Sequence, residues 1–206
     1  MISSEGSYLK PSYDRKTRFI SYWHQIDEIL QVVGLKDSIL EIGPGNGMMT
    51  DYFSKRGYDI KTMDIRPENK PDFLGSVDNI LLPDKSFEVV ACFQVLEHLP
   101  FKLFTKSLDN MARVSKKYIV ISLPDTRYYL DISFRLVSEK LSIQKVISFP
   151  RILKRNQKCE YHFWEIGIAG FPLKKILTAF PDSLSVEHMY RAPGNPYHHF
   201  FLLKVI

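Results

Sequence analysis

The chain has 206 residues, 45% of them hydrophobic and 25% charged, with a formal net charge of +5. That length suits one globular domain with a full core and leaves little room for a second. No apolar run approaches the roughly eighteen residues of a membrane span. The opening "MISSEGSYLKPSYDRK" lacks the apolar core of a signal peptide, so a cytoplasmic protein is expected.

In chain order, Phe19, Tyr22, Trp23, Ile26, Ile29, Leu30 and Val33 fall at helical spacing. They predict an N-terminal helix over Asp14 to Val33 with that face buried, ended by Gly34 as part of a cap over residues 1–34. "SILEIG" reads as a short buried strand, and "MMTDYFSKRG" as a helix closed by Gly57. "YDIKTMDI", "DFLGSV" and "FEVVACFQV" read as strands two to four. A helix over "FKLFTKSLDNMARVS" and a fifth strand, "KYIVISLP", follow. Strands alternating with helices imply a parallel sheet covered on both faces.

The pattern changes at Asp125. Leu130, Phe134, Val137 and Leu141 form an apolar stripe at helical spacing, so residues 125–161 read as a helical insert. Between Arg135 and Lys158 stand seven basic residues against Glu139 alone, a local charge of +6. The insert is read as a lid over an acceptor, a membrane-surface element, a nucleic-acid patch or a plain solvated excursion. Its few interleaved aromatics argue against nucleic acid. After it, "FPLKKILTAF" predicts a helix. "LSVEHMYRA" and "YHHFFLLKVI" predict two antiparallel strands joined by "PGNP".

Chemistry concentrates in "ILEIGPGNGMMT", where a buried strand runs into Gly43, Gly45 and Gly47. Glycine accepts positive φ and lets a ligand approach the backbone. A loop of this kind between strand and helix marks a crevice for a nucleotide-like ligand, although an ordinary strand-to-helix turn has the same composition. The dinucleotide fingerprint asks for glycine at its sixth position, where this chain has Met48. Asp64 ends the second strand, where a carboxylate can take both hydroxyls of a ribose. Asp64 and Asp78 each also read as a helix cap or surface acid. Cys92 and Cys159 lack metal-like spacing, and His198-His199 on a strand point to opposite faces, so no metal site is indicated.

With Asp78-Asn79 after the third strand and "LLPDKSFEVVACFQVLEHLP" beyond, the stretch from Lys36 to Pro124 resembles the class I S-adenosylmethionine-dependent methyltransferases. In particular it resembles the broad small-molecule type, methyltransferase type 11-like, with its E-x-G-x-G-x-G motif. The resemblance implies a doubly wound, Rossmann-like α/β fold with a seven-stranded sheet in the order 3-2-1-4-5-7-6, strand seven antiparallel. It also implies S-adenosylmethionine as cofactor and S-adenosylhomocysteine as product. Glu41, Gly43, Pro44, Gly45 and Gly47 would shape the pocket around the methionyl part. Asp64 would bind the ribose, with Ile65 beside the adenine. Asp78 would accept from the adenine amino group, flanked by Val77 and Asn79, and Phe93 and Gln94 would lie near the sulfonium. "DIRPENKPDFL" departs from the family pattern, since it leaves almost no room for a helix between strands two and three.

His98, past the fourth strand, is a candidate general base, or it simply caps the strand end. "HFWEIG" places His162, Trp164 and Glu165 as candidate acceptor contacts, or else as a helix start with Trp164 in the core. The expected reaction moves a methyl group to an oxygen, nitrogen or carbon nucleophile, with a small molecule, glycan or lipid favoured as acceptor. An anionic group or membrane surface is expected to meet residues 135–158. Two rival readings are a non-catalytic cofactor-binding module and a nicotinamide-dependent oxidoreductase.

Overall fold

The apolar runs become nine strands among the described residues of the computed structural model, which covers residues 15–136, 142–150 and 160–206. These are β1 (Ser38–Ile42), β2 (Asp59–Asp64), β3 (Phe73–Leu74), β4 (Phe87–Phe93), β5 (Ser115–Pro124), β6 (Tyr128–Arg135), β7 (Ser142–Phe149), β8 (Leu184–Arg191) and β9 (His198–Val205). Seven of them form one sheet in the order β3-β2-β1-β4-β5-β9-β8, and β6 pairs only with β7. The first five are parallel, and β9 runs antiparallel to both neighbours. With the β6–β7 hairpin set aside, this is the expected 3-2-1-4-5-7-6 sheet.

The helices are α1 (Lys16–Leu30), α2 (Met48–Ser54), α3 (Phe104–Val114) and α4 (Leu173–Leu177). Strands covered on both faces need apolar side chains on both, which is why β4 carries "FEVVACF" rather than an alternating pattern. Successive side chains feed opposite cores. Leu40, Val90 and Cys92 pack with α3 and Trp164, while Ile39, Val89 and Ala91 pack with α1 and α2. Between β2 and β3 the chain makes only a single short turn, Pro67–Asn69, as the spacing there requires.

Two expectations are corrected. The apolar stripe of α1 is buried only in part: Ile29 is fully buried with Ile26 and Val33 packed beside it, whereas Phe19 and Trp23 are 49% and 59% exposed and Ser21, His24, Gln25 and Glu28 are buried. Part of the surface beneath α1 is polar. His24 Nδ1 lies 3.1 Å from the Tyr190 hydroxyl, and its Nε2 lies 3.2 Å from the Pro193 carbonyl. Glu28 meets His188 at 2.9 Å, and Asn195 donates to the Ser21 hydroxyl at 2.7 Å.

The insert is not helical where it is described. Tyr128, Leu130, Ile132 and Phe134 alternate with Tyr129, Asp131 and Ser133, a two-residue period that suits a strand. Leu130 and Phe134 satisfy both periods, and the β-branched and aromatic content favours the strand. Antiparallel partners for every residue of β6 come from β7. Val137, Leu141 and most of the basic residues lie outside the described residues.

The hairpin turns its polar side to the body. Asp131 accepts from the Gly194 amide at 2.7 Å. The buried Arg191 donates to Ser148 Oγ at 3.1 Å and to the carbonyls of Asp125, Arg127 and Pro196, and it stacks on Tyr129. Leu130, Phe134 and Ile143 are left more than half exposed on the other side.

Candidate active site

Each parallel strand ends on the same edge of the sheet, and a cavity of about 560 Å³ opens there. That size lies in the range of small-molecule sites. Its floor is the glycine loop. Gly43, Gly45 and Gly47 hold φ of 71°, 58° and 75°, the left-handed region that only glycine enters without strain. Gly43 is also short of space, because a Cβ there would stand 2.5 Å from Val95 Cγ2. Gly43→Ala should therefore cost about 1–2 kcal/mol from its φ alone and displace Val95, which lines the cavity. Thermal unfolding would register a fall of several degrees, and adding Val95→Ala should recover only the clash.

Of the residues expected to bind a cofactor, Glu41, Gly43, Pro44, Gly45, Asp64, Ile65, Val77, Phe93 and Gln94 line this cavity. Gly47 starts α2 just behind the loop. Asp78 and Asn79 are not on the wall: Asp78 accepts a hydrogen bond from Ser76, which is itself on the wall. Glu41 is buried and accepts from the Thr50 hydroxyl, yet burial still pushes its carboxyl up to about 8. Asp64 has one oxygen on the Arg66 amide at 2.9 Å and the other on Asn69 Nδ2 at 2.8 Å. Each carboxylate oxygen keeps a second lone pair for a ligand. Gln94 sits at φ 54°, a strained position for a non-glycine residue, pinned by its amide to the Ser122 carbonyl and by its side chain to Ser122 Oγ.

The other wall is made by His98, Leu99, Glu160, Tyr161 and Phe163. His98 donates through Nδ1 to the Tyr161 carbonyl at 2.9 Å, and burial holds its pKa below the usual imidazole range. The Phe163 amide donates to the Glu97 carbonyl at 2.8 Å, so the two segments close on one another.

Three expected acceptor contacts lie elsewhere. Trp164 is fully buried, donates to the Leu99 carbonyl at 3.0 Å, and packs on Phe101 and Phe104. His162 and Glu165 pair with each other at 2.8 Å behind the wall. Tyr161 and Phe163, their sequence neighbours, face the cavity instead. Arg18, Tyr22 and Gln25 of α1 also line it and were not singled out from the sequence. Their spacing of four and three residues was the available signal.

Residues 13–161 match a family model described as a methyltransferase domain, so the chain belongs to that family. Its fold is that of the class I S-adenosylmethionine-dependent methyltransferases. A protein from Pyrococcus horikoshii, PH0226, is similar at 10% identity and a TM-score of 0.62, covering 99% of this chain and 100% of its own. A Methanosarcina mazei S-adenosylmethionine-dependent methyltransferase is 16% identical with a TM-score of 0.57, over 86% of this chain and 96% of its own. Magnesium protoporphyrin IX methyltransferase from Synechocystis, solved with S-adenosylmethionine bound, is 12% identical with a TM-score of 0.59, over 98% and 89%. At these identities the likeness speaks for the fold. No curated protein matches the sequence. Among the described residues, no helix is long and apolar enough to cross a membrane.

Proposed function

We propose that this chain moves a methyl group from S-adenosylmethionine to an oxygen, nitrogen or carbon nucleophile of a small molecule, glycan or lipid. The observation that carries this reading is one cavity wall. Gly43, Gly45, Asp64 and Gln94 meet at the carboxyl ends of β1, β2 and β4, in a chain of the methyltransferase-domain family.

The residues fit the cofactor: Gly43 and Gly45 carry no side chain to hold a ligand off the loop backbone, and Asp64 keeps lone pairs for two ribose hydroxyls. When bound, S-adenosylmethionine supplies a methyl group already activated on a sulfonium. Ile65 and Val77 would flank the adenine. Asp78, Asn79 and Gly47 stand one layer back, and Asp78 would reach the adenine amino group by turning away from Ser76. Phe93 and Gln94 would face the sulfonium.

The chain's remaining task is to hold the acceptor in line with the methyl group and to keep water out, which can supply much of the rate. His98, Leu99, Tyr161 and Phe163 offer an apolar and aromatic acceptor wall. His98 presents a neutral Nε2 that can take the acceptor's proton. Incubation with methyl-labelled S-adenosylmethionine and fractionated extract tests this. Label should enter a small-molecule, glycan or lipid fraction. Cofactor binding without transfer to any fraction would favour a non-catalytic binding module.

A second contact rests on the hairpin. Its outward side carries Leu130, Ile132, Phe134, Ile143 and Phe149 with Lys145 among them, next in sequence to the basic stretch of 151–158. An exposed apolar face that includes a lysine, with a basic stretch next in sequence, suits an anionic lipid surface. Sedimentation with vesicles containing phosphatidylserine should bring the protein down, and Phe134→Ser with Ile143→Ser should release it. Equal sedimentation with neutral vesicles, or self-association lost in the same variant, would overturn this contact.

A further inference from the structure

The geometry points to a binding site for a divalent transition cation formed by Glu97, His98 and His162 beside the acceptor wall. Glu97 and His98 are neighbours in the chain and His162 lies more than sixty residues on, yet each presents one ligand atom, all within 4.8 Å of one another. Glu97 supplies the first sign. It is completely buried, and among the described residues neither carboxylate oxygen has a hydrogen-bond partner. A buried polar group left so is costly and calls for a ligand to explain it.

The histidines supply the second sign. The Tyr161 carbonyl can only accept, so Nδ1 of His98 carries the proton and Nε2 carries a lone pair. Glu165 Oε1 accepts from His162 Nδ1 at 2.8 Å and from the Tyr197 hydroxyl at 3.3 Å. That leaves His162 Nε2 as a lone pair too, 4.0 Å from Glu97 Oε1. A carboxylate behind a histidine, fixing its tautomer and orientation, is the usual support of a metal-binding imidazole.

Two imidazole nitrogens and one carboxylate suit Zn²⁺ or a neighbouring first-row cation rather than Ca²⁺ or Mg²⁺. In a tetrahedral zinc site, ligand atoms lie about 3.3 Å apart, given bonds of about 2.0 Å. Side-chain rotations of roughly an ångström would close the present spread. Three protein ligands leave a fourth position, and His98 lies on the cavity wall, so that position is available to an oxygen of the acceptor or to water. On this reading Nε2 of His98 is a ligand, and the base role proposed above passes from it. Cation binding itself does not depend on the methyl-transfer reading and is measured without any S-adenosyl ligand.

The test is calorimetric titration of chelator-treated full-length protein with Zn²⁺ and Mn²⁺, alongside thermal unfolding with each. One cation per chain should bind and raise the melting temperature. Glu97→Gln keeps the shape, removes the charge, and should weaken binding at least 100-fold. Glu165→Gln touches no cation and should weaken it about 10- to 100-fold. Co²⁺ should give a ligand-field spectrum that disappears in His162→Gln. No binding by the folded wild type would overturn the site, as would binding unchanged in Glu97→Gln and His162→Gln.

Discussion

Replacing Asp125 by alanine should destabilise the protein by about 3–5 kcal/mol, the usual cost of removing one partner from a buried ion pair. The Asp125 side chain is wholly buried where β5 ends and the chain turns toward the hairpin. One oxygen accepts from the Arg127 amide and Nε, each at 3.0 Å. The other accepts from an Arg127 terminal nitrogen at 2.6 Å and from His199 Nδ1 at 3.0 Å, with Arg191 Nε 3.5 Å away. Alanine would leave the buried Arg191 without its countercharge and loosen the tether of the hairpin.

The same cluster predicts an acid dependence. Burial acts to raise the Asp125 carboxyl, but the hydrogen bond from His199 and the pairing with Arg127 outweigh it and hold it at about 2. The unfolded value is near 4. A group with a depressed folded pKa contributes fully above its unfolded pKa and loses that contribution as pH falls through the folded one. About 2–3 kcal/mol should therefore fade between roughly pH 4 and pH 2. Denaturant unfolding of wild type and Asp125→Ala across that range should show the gap between them narrowing as the solution is acidified. A constant gap would mean the carboxylate is not held as described.

Asp64→Ala should reduce affinity for S-adenosylhomocysteine by a factor of about 100 or more while leaving the fold intact. Two hydrogen bonds donated by ribose hydroxyls to a charged acceptor contribute about 1.5–3 kcal/mol each, so losing both exceeds the roughly 2.7 kcal/mol of a hundredfold change. The fold should tolerate the change because the carboxylate's present partners, the Arg66 amide and Asn69, belong to the adjoining turn rather than to a core. Circular dichroism would confirm the fold, and calorimetric titration would give the affinity. Asp64→Asn should fall between the two, since its amide keeps one acceptor.

What the sequence made legible was local. The short, β-branched and aromatic run "FEVVACF" reads as a strand covered on both faces, and glycines at alternate positions after "ILEI" mark a strand-to-helix loop. What it hid depended on distant partners. The buried face of α1 is polar at Ser21, His24 and Glu28 because His188, Tyr190 and Asn195 lie beneath it, some 160 or more residues away in the chain. The hairpin was hidden because Leu130 and Phe134 fit two periods at once. At "YHFWE" the chain sends Tyr161 and Phe163 to the cavity, and His162 and Trp164 away from it. Reading that segment one residue out of step exchanges wall for core. The grouping of Glu97 and His98 with His162 arises only when the Phe163 amide reaches the Glu97 carbonyl.

The most direct measurement is calorimetric titration of the wild-type protein with S-adenosylhomocysteine, beside NAD and NADP. The account predicts one S-adenosylhomocysteine per chain, a matching rise in melting temperature, and no response to either nicotinamide cofactor. Absence of both heat and thermal shift with S-adenosylhomocysteine would contradict it, leaving the glycine loop as a turn that serves another ligand or none.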